Sequence, residues 1–149
     1  EVTMVTTSPA KAEDARGLGA QHVLISTDPA AMGAARERFD FILDTVPVDH
    51  AVAPYLDLLA PGGNLVMVGT GAPVSFAAGL LIGRRRGISG SMIGGIAETQ
   101  QLLEFCAKHH ILPDCEMIAP GEIDAAYERM ERSDVKYRFV IDIAGSQSS

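Results

Sequence analysis

Short apolar runs alternate with stretches of helical period along most of this chain. The runs fall near residues 2–6, 22–26, 39–46, 64–69 and 88–92, and each is continuous, as in "FDFILDTV" and "NLVMVG". Continuous runs suit strands covered on both faces, the situation of a parallel sheet. Between them the spacing predicts helices near 9–18, 28–37, 50–59 and 74–82. The punctuation agrees. Ser8-Pro9 and Asp28-Pro29 set a capping side chain ahead of a proline at the first helical position. Gly19 and Gly62 stand where a helix needs a left-handed stop. A β-α-β-α-β beat with short connections predicts an α/β fold, a doubly wound parallel sheet with right-handed crossovers. The rhythm changes after about residue 95: a long helix near 97–109, a short strand near 115–118, a helix near 122–132 and a last strand, "YRFVIDI", at 137–143.

Composition adds bounds. The chain has 149 residues, enough for one domain with a sizeable core, and 47% of them are hydrophobic. A formal charge of −7 argues against a general nucleic-acid or membrane-surface binder, while leaving room for one local phosphate pocket. No apolar run approaches the roughly 18 residues of a spanning helix, and no signal-peptide pattern opens the chain. The absence of an initiator Met makes Glu1 an expected fragment boundary. Cys106 and Cys115 form neither a disulfide framework nor a zinc motif, which suits a reduced, cytoplasmic setting. Cys106 shares a helical face with Leu102 and Leu103 and reads as a small buried apolar residue. His109 and His110 sit where a helix end favours positive charge, and no third ligand stands near them, so no metal site is expected.

In an open parallel sheet, ligands bind beyond the carboxyl ends of the strands. Here those ends read Thr6-Thr7-Ser8, Asp44-Thr45-Val46, Gly69-Thr70-Gly71 and Ser91-Met92-Ile93-Gly94-Gly95. Small, polar and glycine residues let a ligand approach the backbone, as a nucleotide cofactor requires, although any doubly wound sheet needs turn residues there. "GTGAPV" carries only the first two glycines of a dinucleotide fingerprint, with Val74 in the third place, so it reads as a pocket wall and not as a phosphate loop. Arg84-Arg85-Arg86 reads as charge solvating a turn.

The segments "KAEDARGLGAQHVLIS", "LAPGGNLVMVG", "ISGSMIGGIAETQQLLEFCAKHHI" and "AYERMERSDVKYRFVIDI" closely resemble the C-terminal part of zinc-dependent medium-chain alcohol dehydrogenases, nearest to their cinnamyl-alcohol-dehydrogenase-like branch. The resemblance runs from the second strand of the nucleotide fold to the carboxyl end. It implies a Rossmann-like coenzyme domain lacking its first strand, at residues 1–110, and a C-terminal segment, 111–149, that returns to a GroES-like catalytic domain outside this chain. The glycine turn and the zinc ligands would lie upstream of Glu1. The chain would then hold cofactor without catalysing alone.

The same resemblance assigns residues. NAD-dependent relatives carry an acid at the end of the second strand, and that place falls on Thr6. A carboxylate there would repel the extra phosphate of NADP, whereas hydroxyls from Thr6, Thr7 and Ser8 and the charge of Lys11 would bind it, aided by a helix N-terminus. Read without the resemblance, Ser8 is a cap and Lys11 a solvated charge. Relatives often have a second basic residue after the lysine, where this chain has Ala12. Thr45 and Val46 would border the adenosine and nicotinamide portions, Val68, Gly69 and Thr70 would line the nicotinamide pocket, and Ser91 and Ile93 would meet its carboxamide. Arg138 would contact the pyrophosphate; its plain alternative is a surface charge. The strand near 88–92 would pair with its twofold mate in a homodimer. The implied activity is NADP-dependent interconversion of alcohols and aldehydes. Two alternatives stand beside it: an S-adenosylmethionine-dependent methyltransferase-type domain, which has a similar Leu-x-Pro-Gly-Gly turn, and a non-catalytic nucleotide-binding fragment.

Overall fold

The computed structural model describes residues 1–69, 71, 73–132 and 134–145. The chain divides into two compact units, Glu1–Ile93 and Gly94–Ser149. In the first unit β1 (Thr3–Thr6) leads through a 3-10 turn (Pro9–Lys11) into α1 (Ala12–Gly17). There follow β2 (His22–Ile25), α2 (Pro29–Ala34), β3 (Phe39–Asp44), α3 (Ala53–Leu56), β4 (Leu59–Met67), α4 (Gly79–Ile82) and β5 (Gly87–Gly90). All pairings are parallel. β1 pairs with β2, and β3, β4 and β5 form a second sheet in that order. Among the described residues β1 and β3 are not hydrogen-bonded to each other, so each keeps one open edge.

What joins the two sheets is apolar packing. Leu24, Ala35 and Leu58 are buried against Val5, Ala31, Met32, Phe39, Ile42 and Tyr55, bringing residues of β1, β2 and β3 together. A neighbouring cluster of Val52, Leu56, Leu59 and Leu65 fills the space between the second sheet and the helices α3 and α4. Ile42 and Tyr55 touch both clusters and make the core continuous. The expected elements are all present, but the helices are shorter than the periodicity implies, above all α3 and α4, which are single turns.

Three details differ from the sequence reading. Asp28 caps α2 as expected, its Oδ1 accepting from the amides of Ala30 and Ala31 at 2.9 and 3.2 Å. Ser8 makes no such bond. The chain beyond it opens as a 3-10 turn, and the Ser8 amide instead donates to Thr6 Oγ1 at 3.2 Å. Gly19 does end α1 with positive φ, its amide donating to Arg16 and that of Ala20 to Ala15. Gly62 stops no helix, because α3 already ends at Leu56. It lies inside β4, in an outlooped stretch where the register jumps from Phe39 opposite Leu59 to Phe41 opposite Asn64. Its φ of 82° supplies the left-handed residue that this bulge needs.

The arginine run is the third difference. Arg86 is buried, its side chain 3% exposed, and Nε donates to the Leu59 carbonyl at 2.8 Å. Its other nitrogens reach the carbonyls of Leu80 and Asp57 at 3.4 and 3.3 Å and the carboxylates of Asp57 and Glu37 at 3.6 and 3.8 Å. Arg84 pairs with Glu37 at 2.7 Å, and this hydrogen bond holds the Glu37 carboxyl below its ordinary range. Only Arg85, exposed and with φ of 51°, fits the solvated turn.

The second unit contains α5 (Ile96–His109), β6 (Glu116–Ile118), a 3-10 turn (Pro120–Glu122), α6 (Ile123–Glu131) and β7 (Phe139–Ile141), with β6 and β7 parallel. α5 buries none of its residues, and Cys106 is half-buried, not enclosed as expected. A bidentate pair between Arg129 and Glu116, at 2.8 and 3.1 Å, ties α6 to β6. The same guanidinium lies 4.9 Å over the Phe139 ring on β7. Glu116 also accepts from the Lys136 amide, and the two bonds, Arg129 first, lower its carboxyl pKa.

Arg86→Met should leave the carbonyls of Leu59, Leu80 and Asp57 without their donor, while Glu37 keeps Arg84 and Asp57 keeps Arg36, costing about 2–4 kcal/mol. Arg85→Met, at an exposed position, should stay within about 0.5 kcal/mol of the parent. Urea unfolding midpoints of the two variants check the contrast.

Candidate functional site

The carboxyl ends of the second sheet finish on one line, because the parallel register sets Asp44 opposite Met67 and Met67 opposite Gly90. The next residues along, Thr45, Val68 and Ser91, therefore form a row just beyond the strands. The ladder runs one step further under them. The Val68 amide donates to the Asp44 carbonyl at 2.9 Å, and the Ser91 amide to that of Met67 at 3.0 Å. Thr45, Val46, Val68, Ser91 and Ile93 are exposed, Val68 at 39% and Ile93 at 88%. A row of exposed short side chains on a fixed backbone is the platform on which this class of sheet receives a ligand.

Close backbone approach shapes the row. A Cβ built on Gly69 would lie 2.3 Å from the Val46 carbonyl oxygen, and one on Gly71 would lie 3.2 Å from that of Val48. The loop after β3 thus runs along the loop after β4 with main chain against main chain. Thr70 and its structure lie outside the described residues.

At the end of β1 the hydroxyl-bearing residues gather without a carboxylate. Thr6 is half-buried, with its carbonyl accepting from the Ser26 amide at 2.9 Å, and Thr7 is exposed, its carbonyl accepting from Thr27 Oγ1 at 3.3 Å. Lys11 closes the 3-10 turn and is exposed. Between Thr6 and Lys11 no acidic residue occurs. Arg138 belongs to the second unit, where its side chain is exposed and its carbonyl accepts from the Glu116 amide at 2.8 Å.

One pairing in this region escapes sequence reasoning. Asp44 is buried, its side chain 8% exposed, and its Oδ2 meets His50 Nε2 at 2.8 Å, while Oδ1 accepts from the Val46 amide at 3.0 Å. The other His50 nitrogen meets the Val48 carbonyl at 2.9 Å. Asp44 is visible in sequence as the polar end of an apolar run; nothing in the spacing marks His50 as its partner. No group of three or more His, Cys, Asp or Glu among the described residues could hold a metal ion, and no helix there is long and apolar enough to cross a membrane.

Comparison with known proteins fits this geometry. Residues 1–108 match the family model described as zinc-binding dehydrogenase, and the chain belongs to that family. It is 45% identical to a probable cinnamyl alcohol dehydrogenase from Zea mays, over 97% of this chain and 40% of the relative. It is 48% identical to a probable formaldehyde dehydrogenase from Bacillus subtilis (strain 168), over 97% of this chain and 42% of the relative. Among solved structures it superposes on a cinnamyl alcohol dehydrogenase from Sorghum bicolor with a TM-score of 0.92 at 40% identity, covering 97% of this chain and 41% of that one. It also superposes on one from Helicobacter pylori complexed with NADP(H), with a TM-score of 0.81 at 32% identity, covering 96% and 41%. The chain thus spans about two-fifths of the relatives it matches. Its fold is that of their Rossmann-like coenzyme domain, and the methyltransferase-type alternative is left without support.

Gly69→Ala should force the two loops apart, because the clash is with backbone atoms of Val46 and Pro47. A cost of about 1–3 kcal/mol is expected, the usual range for overpacking, read as a lowered urea midpoint.

Proposed function

We propose that this chain is the coenzyme-binding share of an NADP-dependent zinc alcohol dehydrogenase that interconverts primary alcohols and aldehydes by hydride transfer. The observation that carries the choice of cofactor is the end of β1, where Thr6, Thr7, Ser8 and Lys11 offer hydroxyls and a cation and no carboxylate. A carboxylate there would accept hydrogen bonds from ribose hydroxyls and repel a 2′-phosphate; this set does the opposite. The Helicobacter pylori relative, complexed with NADP(H), supports the reading.

In this reading Thr45 and Val46 border the adenosine and nicotinamide portions. Val68, Gly69 and Thr70 wall the nicotinamide pocket, and Ser91 and Ile93 meet the carboxamide, fixing which ring face is presented. Arg138 reaches the pyrophosphate. Residues 1–110 serve as the coenzyme domain and 111–149 as a segment of the catalytic domain. The bound dinucleotide supplies the hydride donor or acceptor; this chain's residues bind and orient it. Zinc is held by ligands outside this chain, and none of the described residues substitutes for them. A cytoplasmic homodimer joined along residues 88–92 completes the proposal.

Titration of the full-length protein should give tighter binding of NADPH than of NADH, and the reverse order would overturn the cofactor assignment. Lys11→Glu should weaken NADPH by about tenfold or more, the loss of one charge-assisted contact, with NADH changed little. Equal effects on both cofactors would remove Lys11 from the phosphate site.

A further inference from the structure

We infer that His50, acting as an imidazolium clamped between Asp44 and Val48, is a positioning residue that holds the loop after β3 in its cofactor-receiving conformation and makes dinucleotide affinity fall as it deprotonates. The inference rests on the coenzyme-binding role proposed above.

The geometry carries it. Both imidazole nitrogens face oxygen acceptors at hydrogen-bond distance, Nδ1 the Val48 carbonyl at 2.9 Å and Nε2 the Asp44 carboxylate at 2.8 Å. A neutral imidazole has one N–H and one lone pair, so it can satisfy only one of these oxygens and points a lone pair at the other. Only the doubly protonated ring donates to both. The ring is well covered, at 18% exposure, beside a carboxylate that is itself buried. Tyr55 presents its ring edge-on at 6.1 Å, and the charge of Asp49 lies nearby. The hydrogen bond to Val48, against partial desolvation and with help from Asp44 and then Asp49, raises the His50 pKa above its ordinary value.

The clamp matters because of what it ties. Asp44 ends β3 and accepts from the Val46 amide, and its own carbonyl accepts from the Val68 amide of the facing loop. Val46 and Val48 turn their carbonyls toward Gly69 and Gly71. One ring therefore pins residues 44–50 against Val68, Gly69 and Gly71, where Thr45, Val46, Val68 and Gly69 are proposed to meet the dinucleotide. A group with a raised folded-state pKa contributes stability fully below its ordinary value, about 6.5, and loses it as pH rises through the raised value. The loop should accordingly be held below about pH 6.5 and released as pH rises through the raised His50 midpoint.

The test uses the full-length protein and His50→Gln. NADPH and NADH dissociation constants are measured from about pH 7, where a 2′-phosphate is already dianionic, upward through the His50 midpoint. Both should weaken by about three- to tenfold in the native protein, the worth of one hydrogen bond, and the variant should be weak and nearly flat. On the native protein alone, proton NMR gives the His50 midpoint, and amide-exchange protection of Val46 should fall at the same pH. If native and variant share one pH profile, or if Val46 protection ignores the His50 midpoint, the clamp is overturned even though cofactor binds. If neither dinucleotide binds while Val46 protection still tracks His50, it is the coenzyme reading that has failed, and the coupling to affinity falls with it.

Discussion

The first unit is organised by a cation at the end of the sheet opposite its site. A guanidinium presents several donors in a fixed planar fork, and Arg86 directs that fork at the main chain entering β4 and at the end of α4. Because Arg86 itself precedes β5, it ties the entrance of β4 to the entrance of β5. Beyond the bulge after Leu59 the parallel ladder is evenly spaced, so the register taken up at Asn64 is kept to the strand ends and aligns Thr45, Val68 and Ser91. Most ion pairs among the described residues of this unit gather at the entrance end, around Glu37, Asp57, Arg84 and Arg86, while the opposite end combines small residues and backbone with the Asp44–His50 pair.

Much of this was legible from the chain. Continuous apolar runs located the strands of the first unit, although Phe41 and Leu43 of β3 are exposed and not covered as a both-face strand would have them. The row beyond the strands could be named because each run ends in polar or glycine residues. Local chemistry was less reliable. Asp28 and Ser8 precede prolines alike, yet only Asp28 caps, because α2 begins as a true helix while the chain after Ser8 begins as a 3-10 turn. Gly62 shows the same limit: a left-handed residue was foreseen, but whether it ends a helix or opens a bulge depends on the partner strand.

Arg86 and His50 could not be read in advance for a different reason. Three consecutive arginines look equivalent in composition, and only tertiary packing decides which one turns inward. His50 stands six residues from Asp44 across a proline-containing loop, a spacing with no period that would mark a pair. The assignments at Thr6 to Lys11 came from family resemblance together with the absence of an acid, and membership in the zinc-binding dehydrogenase family now frames them.

Each hydrogen-bonded strand pair joins neighbours in sequence, β1 with β2, β3 with β4, β4 with β5 and β6 with β7. The partners lie about 20 residues apart, as with Thr3 and His22 or Asn64 and Gly87. Closing loops of that size costs little chain entropy, and short-range contacts go with fast folding. The ladder contacts are thus local within each β-α-β piece, while the two sheets meet through side chains such as Ile42 and Tyr55 and not through the backbone ladder.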